Sequence, residues 1–224
     1  MEKLNSKNSP SPLTEDESGS ELTICIGRQL GSGGHDIGRM LALDFGAKYY
    51  DRELLNLAAK ESGLSERFFE QHDEHKSFFR SFLHVPSALS AATDFSRQGF
   101  SQDSFFQFQS DAIRKAAQEG PCVFVGRCAD YVLRDRKDII RLFITAPLEF
   151  RIRQVMDKQH CEQGTARKLI EQGESRRAAY YNYYTGKKWG AAESYDLCID
   201  SSLLGLQQTE KLIAEFIKAT RHYR

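Results

Sequence analysis

The chain has 224 residues, enough for one α/β domain with a proper core or for one such domain with a small inserted lid. Its 40% hydrophobic and 28% charged residues are ordinary for a soluble globular protein, and no apolar run is long enough to cross a bilayer. Lys and Arg balance Asp and Glu at 31 each, so the overall charge does not favour a nucleic acid or an anionic membrane as partner. A site for phosphate must therefore be a local cluster of cations.

The N-terminal segment and the cysteines indicate the compartment. Residues 1–21 contain Ser, Pro and acidic residues in place of a basic start and an apolar stretch, which predicts a disordered tail and not a secretory signal. The five cysteines form no CxxC pair, and Cys25, Cys122 and Cys198 lie in or beside apolar runs. We therefore expect no disulfides and a cytoplasmic location. The histidines and cysteines match no familiar structural zinc pattern, so no metal ligand is predicted.

A strand, a glycine-rich turn and a helix come first in the folded part of the chain. The apolar residues 22–27 predict a buried strand that ends in glycine, and residues 36–45 have apolar side chains at helical spacing. Gly46 then ends this helix as its left-handed cap, and residues 47–50 predict a second strand. This order of strand, turn, helix and strand is typical of the start of a parallel α/β sheet.

The alternation of strands and helices resumes after an excursion rich in Ser and Phe at about 65–103, which we expect on the substrate side. Helices are expected at 104–119 and 206–217, and three further strands at 121–126, 139–145 and 195–200. Residues 157–193, between the last two strands, are rich in Lys, Arg and Tyr. Such a cationic helical segment predicts a lid that closes over phosphates.

The glycine-rich loop Gly31-Ser32-Gly33-Gly34, followed by His35 and Asp36, is the strongest candidate site. Glycines let successive backbone N–H groups turn inward to form an anion-binding nest, and the helix that follows adds its positive N-terminal dipole. Because the loop comes directly after the first predicted strand, the context that a phosphate-binding loop requires is present. The alternative is a tight strand-to-helix turn that binds no ligand.

This loop lacks the side chains of an intact Walker A motif. Gly34 occupies the lysine position, and Asp36 occupies the place where Ser or Thr would hold magnesium. The cation at the transferred group must then come from elsewhere, and Arg28, His35 and Arg39 are the nearby candidates. Asp36 either holds magnesium, directly or through water, or caps its helix, and the sequence favours neither.

Cations also follow two other predicted strands. Arg127 comes directly after the third strand, and Asp51 and Arg52 come after the second. Ligands of open parallel sheets bind beyond the carboxyl ends of the strands, and arginine suits bidentate recognition of phosphate. The alternatives are a surface arginine that begins a helix at Arg127, and a helix cap followed by a solvated charge at Asp51 and Arg52.

The predicted lid carries the paired arginines Arg176 and Arg177. Phosphoryl transfer needs little covalent help and much positive charge around the moving group, which two arginines on a closing segment would supply while excluding water. The alternative is a solvated helix face on which these charges pair locally with Glu171 and Glu174.

Four motifs in the same order resemble the cytidylate kinase-like proteins, a divergent branch of the nucleoside monophosphate kinases. The first is GRQLGSGGHDIGRML at 27–41, and the later ones are YYDRELL at 49–55, VGR at 125–127 and YDLCID at 195–200 with Leu204-Gly205. The similarity runs from about residue 22 to the C-terminus. It implies that residues 22–224 form an α/β P-loop kinase-like domain of three layers, with a five-stranded parallel sheet, a nucleoside monophosphate-binding excursion and a helical lid.

The resemblance also implies an activity and its ligands. It implies transfer of the γ-phosphoryl group of ATP, with Mg²⁺, to a nucleoside monophosphate, with CMP or dCMP as the first guess. The residues Gly31, Ser32, Gly33, Gly34, His35 and Asp36 would then hold the donor, and Asp51, Arg52 and Arg127 would face the acceptor. Arg176 and Arg177 would stabilise the transferring group. To these we add Arg28, beside the loop, and Arg127, at the end of the third strand, as further catalytic charge.

Two other functions stay open on the sequence. A nucleotide-binding regulatory module without chemistry is favoured by the missing lysine, whereas charge at two strand ends and in the lid favours an enzyme. A kinase for a non-nucleotide acceptor is the third possibility.

Overall fold

The computed structural model of the protein describes residues 22–51 and 102–221. Three of the predictions fall wholly or mostly on the remaining residues. The N-terminal tail at 1–21, the acceptor residue Arg52 and all but the end of the excursion at 65–103 lie outside the described residues.

The described residues alternate between strands and helices, as the sequence predicts. The strands are β1 (Thr23–Arg28), β2 (Lys48–Tyr50), β3 (Cys122–Val125), β4 (Ile139–Thr145) and β5 (Leu197–Asp200). The α-helices, numbered in order within this part of the chain, are α1 (Gly34–Asp44), α2 (Gln102–Gln118), α3 (Ala129–Val132), α4 (Leu148–Gln159), α5 (Gln163–Thr185) and α6 (Gly205–Arg221). A 3₁₀ turn, Ala192–Ser194, precedes β5.

The five strands form one sheet in the order β2-β3-β1-β4-β5, and all neighbouring pairs are parallel. β1 lies in the centre, where Thr23 is in register with Cys122 of β3 and with Ile139 of β4. The carboxyl ends of parallel strands meet at one edge of a sheet. The loops that follow β1, β2 and β3 are therefore neighbours in space, and the predicted five-stranded parallel sheet is confirmed.

Helices cover both faces of this sheet, which makes three layers. On β1, Ile24 and Ile26 pack into a core with residues of α1 and α6, whereas Cys25, between them, packs into a second core with residues of α2 and α3. Strands that are buried on both faces read as continuous apolar runs, which is why β1, β3 and β4 were visible in the sequence. The α/β class follows from this layering.

A third, smaller core joins α4 and α5 into a helical hairpin. It is formed by Ile152, Val155, Ala166 and Ile170, which are all buried between the two helices. Leu30 of the glycine-rich loop packs against this same core. The α4–α5 hairpin, residues 148–185, is therefore attached to the loop through apolar contact as well as through the chain.

Within the part of the chain that the structure describes, no helix is long and apolar enough to cross a bilayer. All five cysteines carry free thiols, and Cys25, Cys122 and Cys128 are buried. Burial of Cys25 and Cys122 agrees with the prediction that they act as small apolar residues. Cys198 departs from that prediction: it is exposed, because β5 is an edge strand of the sheet and is only partly covered.

Two leucines give a matched test of this core. Leu142 on β4 is 0% exposed, whereas Leu43 on α1 is 82% exposed. We expect Leu142→Ala to lower the free energy of unfolding by about 2–5 kcal/mol, because a cavity remains between packed layers. Leu43→Ala should change it by less than about 0.5 kcal/mol. Urea unfolding of both variants measures the difference, and equal losses would contradict the assigned layers.

Candidate phosphate-binding site

The loop between β1 and α1 forms a nest of backbone donors. Gly31 and Gly33 have positive φ angles of 85° and 77°. These angles turn the chain from the end of β1 into the first turn of α1. Among the described residues, the N–H groups of Gly33, Gly34, His35 and Asp36 have no hydrogen-bond partner. Unpaired N–H groups at a helix N-terminus attract an anion, and the helix dipole adds to this attraction. The loop therefore has unpaired backbone donors at the N-terminus of α1, and phosphate binding by them stays a prediction.

Ser32 anchors this loop from inside the protein. Its side chain is fully buried. The hydroxyl can donate a hydrogen bond to the carbonyl oxygen of Gln29, 2.9 Å away, or to that of Ile144, 3.0 Å away. The hydroxyl of Ser201, after β5, donates to the carbonyl oxygen of Ser32 over 2.7 Å. The Ser32 side chain thus holds the loop against β4 and the end of β5, while its neighbours face outward.

Gly31 packs directly on the backbone of α4. A Cβ atom at this position would lie 2.6 Å from the carbonyl oxygen of Arg151, which is too close for any side chain. Arg151 is itself buried: its Nε donates to the carbonyl oxygen of Ala146 over 2.8 Å, and its Nη1 donates to Oε1 of Glu174 over 2.7 Å. Through Arg151 the loop is tied to both helices of the α4–α5 hairpin.

Arg28 lies between the loop and the end of β3. Its Nη2 is 3.1 Å from Nε2 of His35, and a Cβ at Gly126 would lie 2.3 Å from its Nη1, so a side chain at Gly126 would displace this guanidinium. The Nε–H of Arg28 is buried and has no partner among the described residues. Burial, followed by the nearby charges of Arg177 and Arg127, lowers the pKa of Arg28 to about 9. Arg28 is still protonated at neutral pH.

Arg127 and Arg177 converge on Arg28, and we call these three residues the arginine cluster. Arg127 follows β3 with φ at 61°, and Cys128 follows with φ at 54°, a left-handed backbone that is unusual for side-chain-bearing residues. The guanidinium of Arg127 lies 5.7 Å from the ring centre of Tyr180 on α5. Arg177 comes from α5, and its Nη1 is buried without a partner in the described part of the chain. Burial lowers the pKa of Arg177.

The two predicted lid arginines differ in their surroundings. Arg177 is half-buried and faces Arg28, whereas Arg176, one residue earlier on α5, is exposed. Residues that are adjacent on a helix point about 100° apart, so only one of the two arginines can face the sheet. The sequence pair did not show which of them it would be.

His35 is a neutral histidine in this site. Nε2 accepts a hydrogen bond from Arg28, so the proton is on Nδ1, which donates to the hydroxyl oxygen of Tyr49 over 2.9 Å. Burial and the adjacent Arg28 cation lower the pKa of His35 to about 4. Nδ1 also lies 3.9 Å from Oδ2 of Asp51, but because the ring is neutral this contact is not an ion pair at neutral pH. His35 positions Arg28 and adds no charge of its own.

Asp51 follows β2 and faces the same side of the site. Its Oδ2 lies 3.9 Å from Nη2 of Arg39, and the Arg39 guanidinium stacks over the ring of Tyr49 at 5.3 Å. The carboxyl end of β2 therefore contributes a largely buried carboxylate beside His35 and Tyr49.

Asp36 makes a contact that the sequence did not predict, either as a magnesium ligand or as a helix cap. Its Oδ2 accepts a hydrogen bond from Nζ of Lys158 over 2.5 Å, and no side-chain hydrogen bond caps α1 at its N-terminus. Lys158 belongs to the last turn of α4. The sequence gives no signal for this pair, because the two residues are 122 positions apart.

The donors near the nest suit magnesium that arrives with a phosphate ligand. No group of three or more His, Cys, Asp or Glu side chains capable of holding a metal occurs within the described residues. Mg²⁺ in nucleotide sites needs only one or two carboxylates, because phosphate oxygens and water complete its shell. Asp36, in the first turn of α1, provides one such carboxylate.

Comparison with known proteins agrees with this geometry. A model of the cytidylate kinase-like family matches residues 23–203. Similar solved structures include an uncharacterized protein from Eubacterium ventriosum, 26% identical with a TM-score of 0.67, covering 88% of this chain and 99% of that one. A shikimate kinase from Bacteroides thetaiotaomicron is 12% identical with a TM-score of 0.51, covering 89% of this chain and 99% of that one, and shares the P-loop kinase fold. No curated protein matches the chain.

Gly31 and Gly46 give a matched test of the nest. Both have positive φ, but a Cβ at Gly46 meets no atom within 4 Å, whereas one at Gly31 meets the α4 backbone. We expect Gly46→Ala to cost about 1 kcal/mol of stability from backbone strain alone, and to leave binding of inorganic tripolyphosphate unchanged. Gly31→Ala should displace the loop and abolish that binding. Calorimetry and urea unfolding measure both, and intact tripolyphosphate binding by Gly31→Ala would contradict the assigned nest.

The pH dependence of stability tests His35. Its pKa is lowered from 6.5 to about 4 in the folded protein, so the unfolded chain binds the proton at a higher pH than the folded one does. This contribution to stability is complete above pH 6.5 and is lost as the pH falls towards about 4. We expect His35→Gln to reduce the slope with which the free energy of unfolding falls between pH 6.5 and about 4. His160→Gln is the control and should leave this slope unchanged. An unchanged slope in His35→Gln would show that the folded protein does not hold His35 neutral beside Arg28.

Proposed function

Since the chain belongs to the cytidylate kinase-like family, we propose that it is an ATP-dependent kinase that transfers the γ-phosphoryl group to a nucleoside monophosphate. The family and the fold support a phosphotransferase. The choice of a nucleoside monophosphate, with CMP or dCMP first, follows from the motifs shared with that family. We place this activity in the cytoplasm, where free thiols such as those of all five cysteines persist.

The arginine cluster is the observation that carries the proposal. Arg28, Arg127 and Arg177 bring like charges together beside the nest, and two of their N–H groups are buried without partners among the described residues. Buried cations that repel one another are costly unless an anion compensates them. A phosphoryl group held between the nest and this cluster would satisfy those donors.

Each part of the site has a place in such a reaction. The N–H groups of residues 33–36 bind the donor phosphates, and the arginine cluster stabilises the charge that spreads over the transferring group. The α4–α5 hairpin excludes water from the site. Mg²⁺, held by Asp36 together with phosphate oxygens, would neutralise the charge of the donor.

The acceptor is proposed to lie on the β2 and β3 side of the cluster. Arg127 and Asp51 follow these two strands, and Arg52 is the next residue of the shared motif. Arg127 is suited to the phosphate of the acceptor, because its guanidinium can donate two parallel hydrogen bonds. Arg176, exposed on α5, is proposed to add charge at the rim of the transferring group.

Two alternatives remain, each with its own outcome in the same assay. A regulatory module that binds nucleotide without chemistry is favoured by Gly34, which occupies the lysine position of the loop. A kinase for a non-nucleotide acceptor would use the same nest and cluster with different contacts after β2. Turnover with a panel of acceptors separates the three functions.

The decisive experiment measures ADP release from ATP and magnesium with nucleoside monophosphates and with small hydroxyl and phosphate acceptors. We expect turnover with CMP or dCMP. Arg127→Ala and Arg177→Ala should each lower kcat/KM by roughly 100-fold or more, because each removes a preorganised charge from a site with little water. Arg176→Ala should cost less than about tenfold, since water screens an exposed charge.

Arg153→Ala, an exposed arginine of α4, is the matched control and should behave as the unchanged protein does. ATP binding without turnover on any acceptor would refute the kinase and leave the regulatory module. Turnover restricted to a non-nucleotide acceptor would refute only the proposed substrate.

A further inference from the structure

One cation of the α4–α5 hairpin reaches the glycine-rich loop. Lys158 lies in the last turn of α4, and its Nζ is 2.5 Å from Oδ2 of Asp36 in the first turn of α1. Both side chains are accessible to solvent, with exposed fractions of 55% for Lys158 and 37% for Asp36. A ligand in the nest can therefore reach this ammonium group.

The glycine-rich loop itself provides no full positive charge beside Asp36. Gly34 occupies the lysine position, and His35 is neutral because its pKa is lowered to about 4. The backbone nest offers only partial charges. Arg28 lies on the side of β3, where its guanidinium contacts Gly126 and His35.

Arg39, the remaining cation proposed near the loop, is directed to the other side. Its guanidinium stacks over Tyr49 and approaches Asp51, at the end of β2. Lys158 is thus the cation that the fold places on Asp36, two residues after Gly34 in the same first turn of α1.

We propose that Lys158 replaces the missing loop lysine and contacts the terminal phosphate of a bound nucleoside triphosphate. This inference rests on the proposed kinase function. Asp36 keeps the ammonium group at the loop, and the flexible four-carbon stem of lysine lets it exchange the carboxylate for a phosphate oxygen. The α4–α5 hairpin would then bring the positive charge of Lys158 to the terminal phosphate.

The affinities for ATP and ADP test this assignment, because the two ligands differ by the terminal phosphate. We expect Lys158→Met to reduce the preference for ATP over ADP by about tenfold or more, since a charged hydrogen bond to that phosphate is lost. The affinity for ADP should change little. Lys158→Arg, which keeps the charge, should retain most of the preference. Calorimetry with excess magnesium measures the dissociation constants of ATP and of ADP for both variants and for the unchanged protein.

Lys168→Met removes an exposed lysine of α5 and is the matched control, with the preference of the unchanged protein expected. If Lys158 only tethered the hairpin to the loop, Lys158→Met would weaken ATP and ADP binding equally, and the proposal would be wrong. It is also overturned if the unchanged protein binds ATP no more tightly than ADP, or binds neither. A preference that depends on Lys158 in a protein that phosphorylates no acceptor would uphold this inference and refute the kinase function.

Discussion

The position of the Arg28 guanidinium determines how the loop, the sheet and the hairpin relate to each other. The Arg28 side chain starts at the end of β1, in the centre of the sheet, and its guanidinium lies over Gly126, after β3. The guanidinium donates a hydrogen bond to His35 in the first turn of α1. Arg127 and Arg177 come close enough to lower its pKa. Three cations at one point repel one another, so the arrangement depends on rigid attachment of each arginine: the central strand for Arg28, a left-handed backbone for Arg127 and a long helix for Arg177.

The loop and the α4–α5 hairpin behave as one structural unit because they share apolar and polar contacts. Leu30 packs into the core of the hairpin, Gly31 lies on the backbone of Arg151, and Asp36 pairs with Lys158. A movement of the hairpin therefore changes the surroundings of the nest directly. Under the proposed function, these contacts would link phosphate binding to the placement of the hairpin cations, so that catalytic charge reaches the site as water is excluded.

Much of the fold was readable from the sequence, and the site was readable only in part. The strand predicted at 139–145 is β4 residue for residue, and the helix predicted at 206–217 lies within α6. Buried parallel strands and amphipathic helices leave strong local patterns, so such elements can be predicted. Arg151 and Lys158 left no such pattern: within α4 they look like solvated helix charges, and their partners, Glu174 and Asp36, lie 23 and 122 residues away.

The sequence by itself determined the elements, their alternation and the chemical types available for binding phosphate: a glycine-rich turn after β1 and arginines at the end of β1, after β3 and on α5. These are local properties, set by backbone conformations that glycine permits and by the period of apolar side chains. Only the tertiary structure decided which charges meet. It turned Arg177 inward and left Arg176 in water, made His35 neutral beside Arg28, and gave Asp36 a lysine as its partner. Helix rotation, burial and the pairing of distant residues depend on how layers pack, and no local pattern records them.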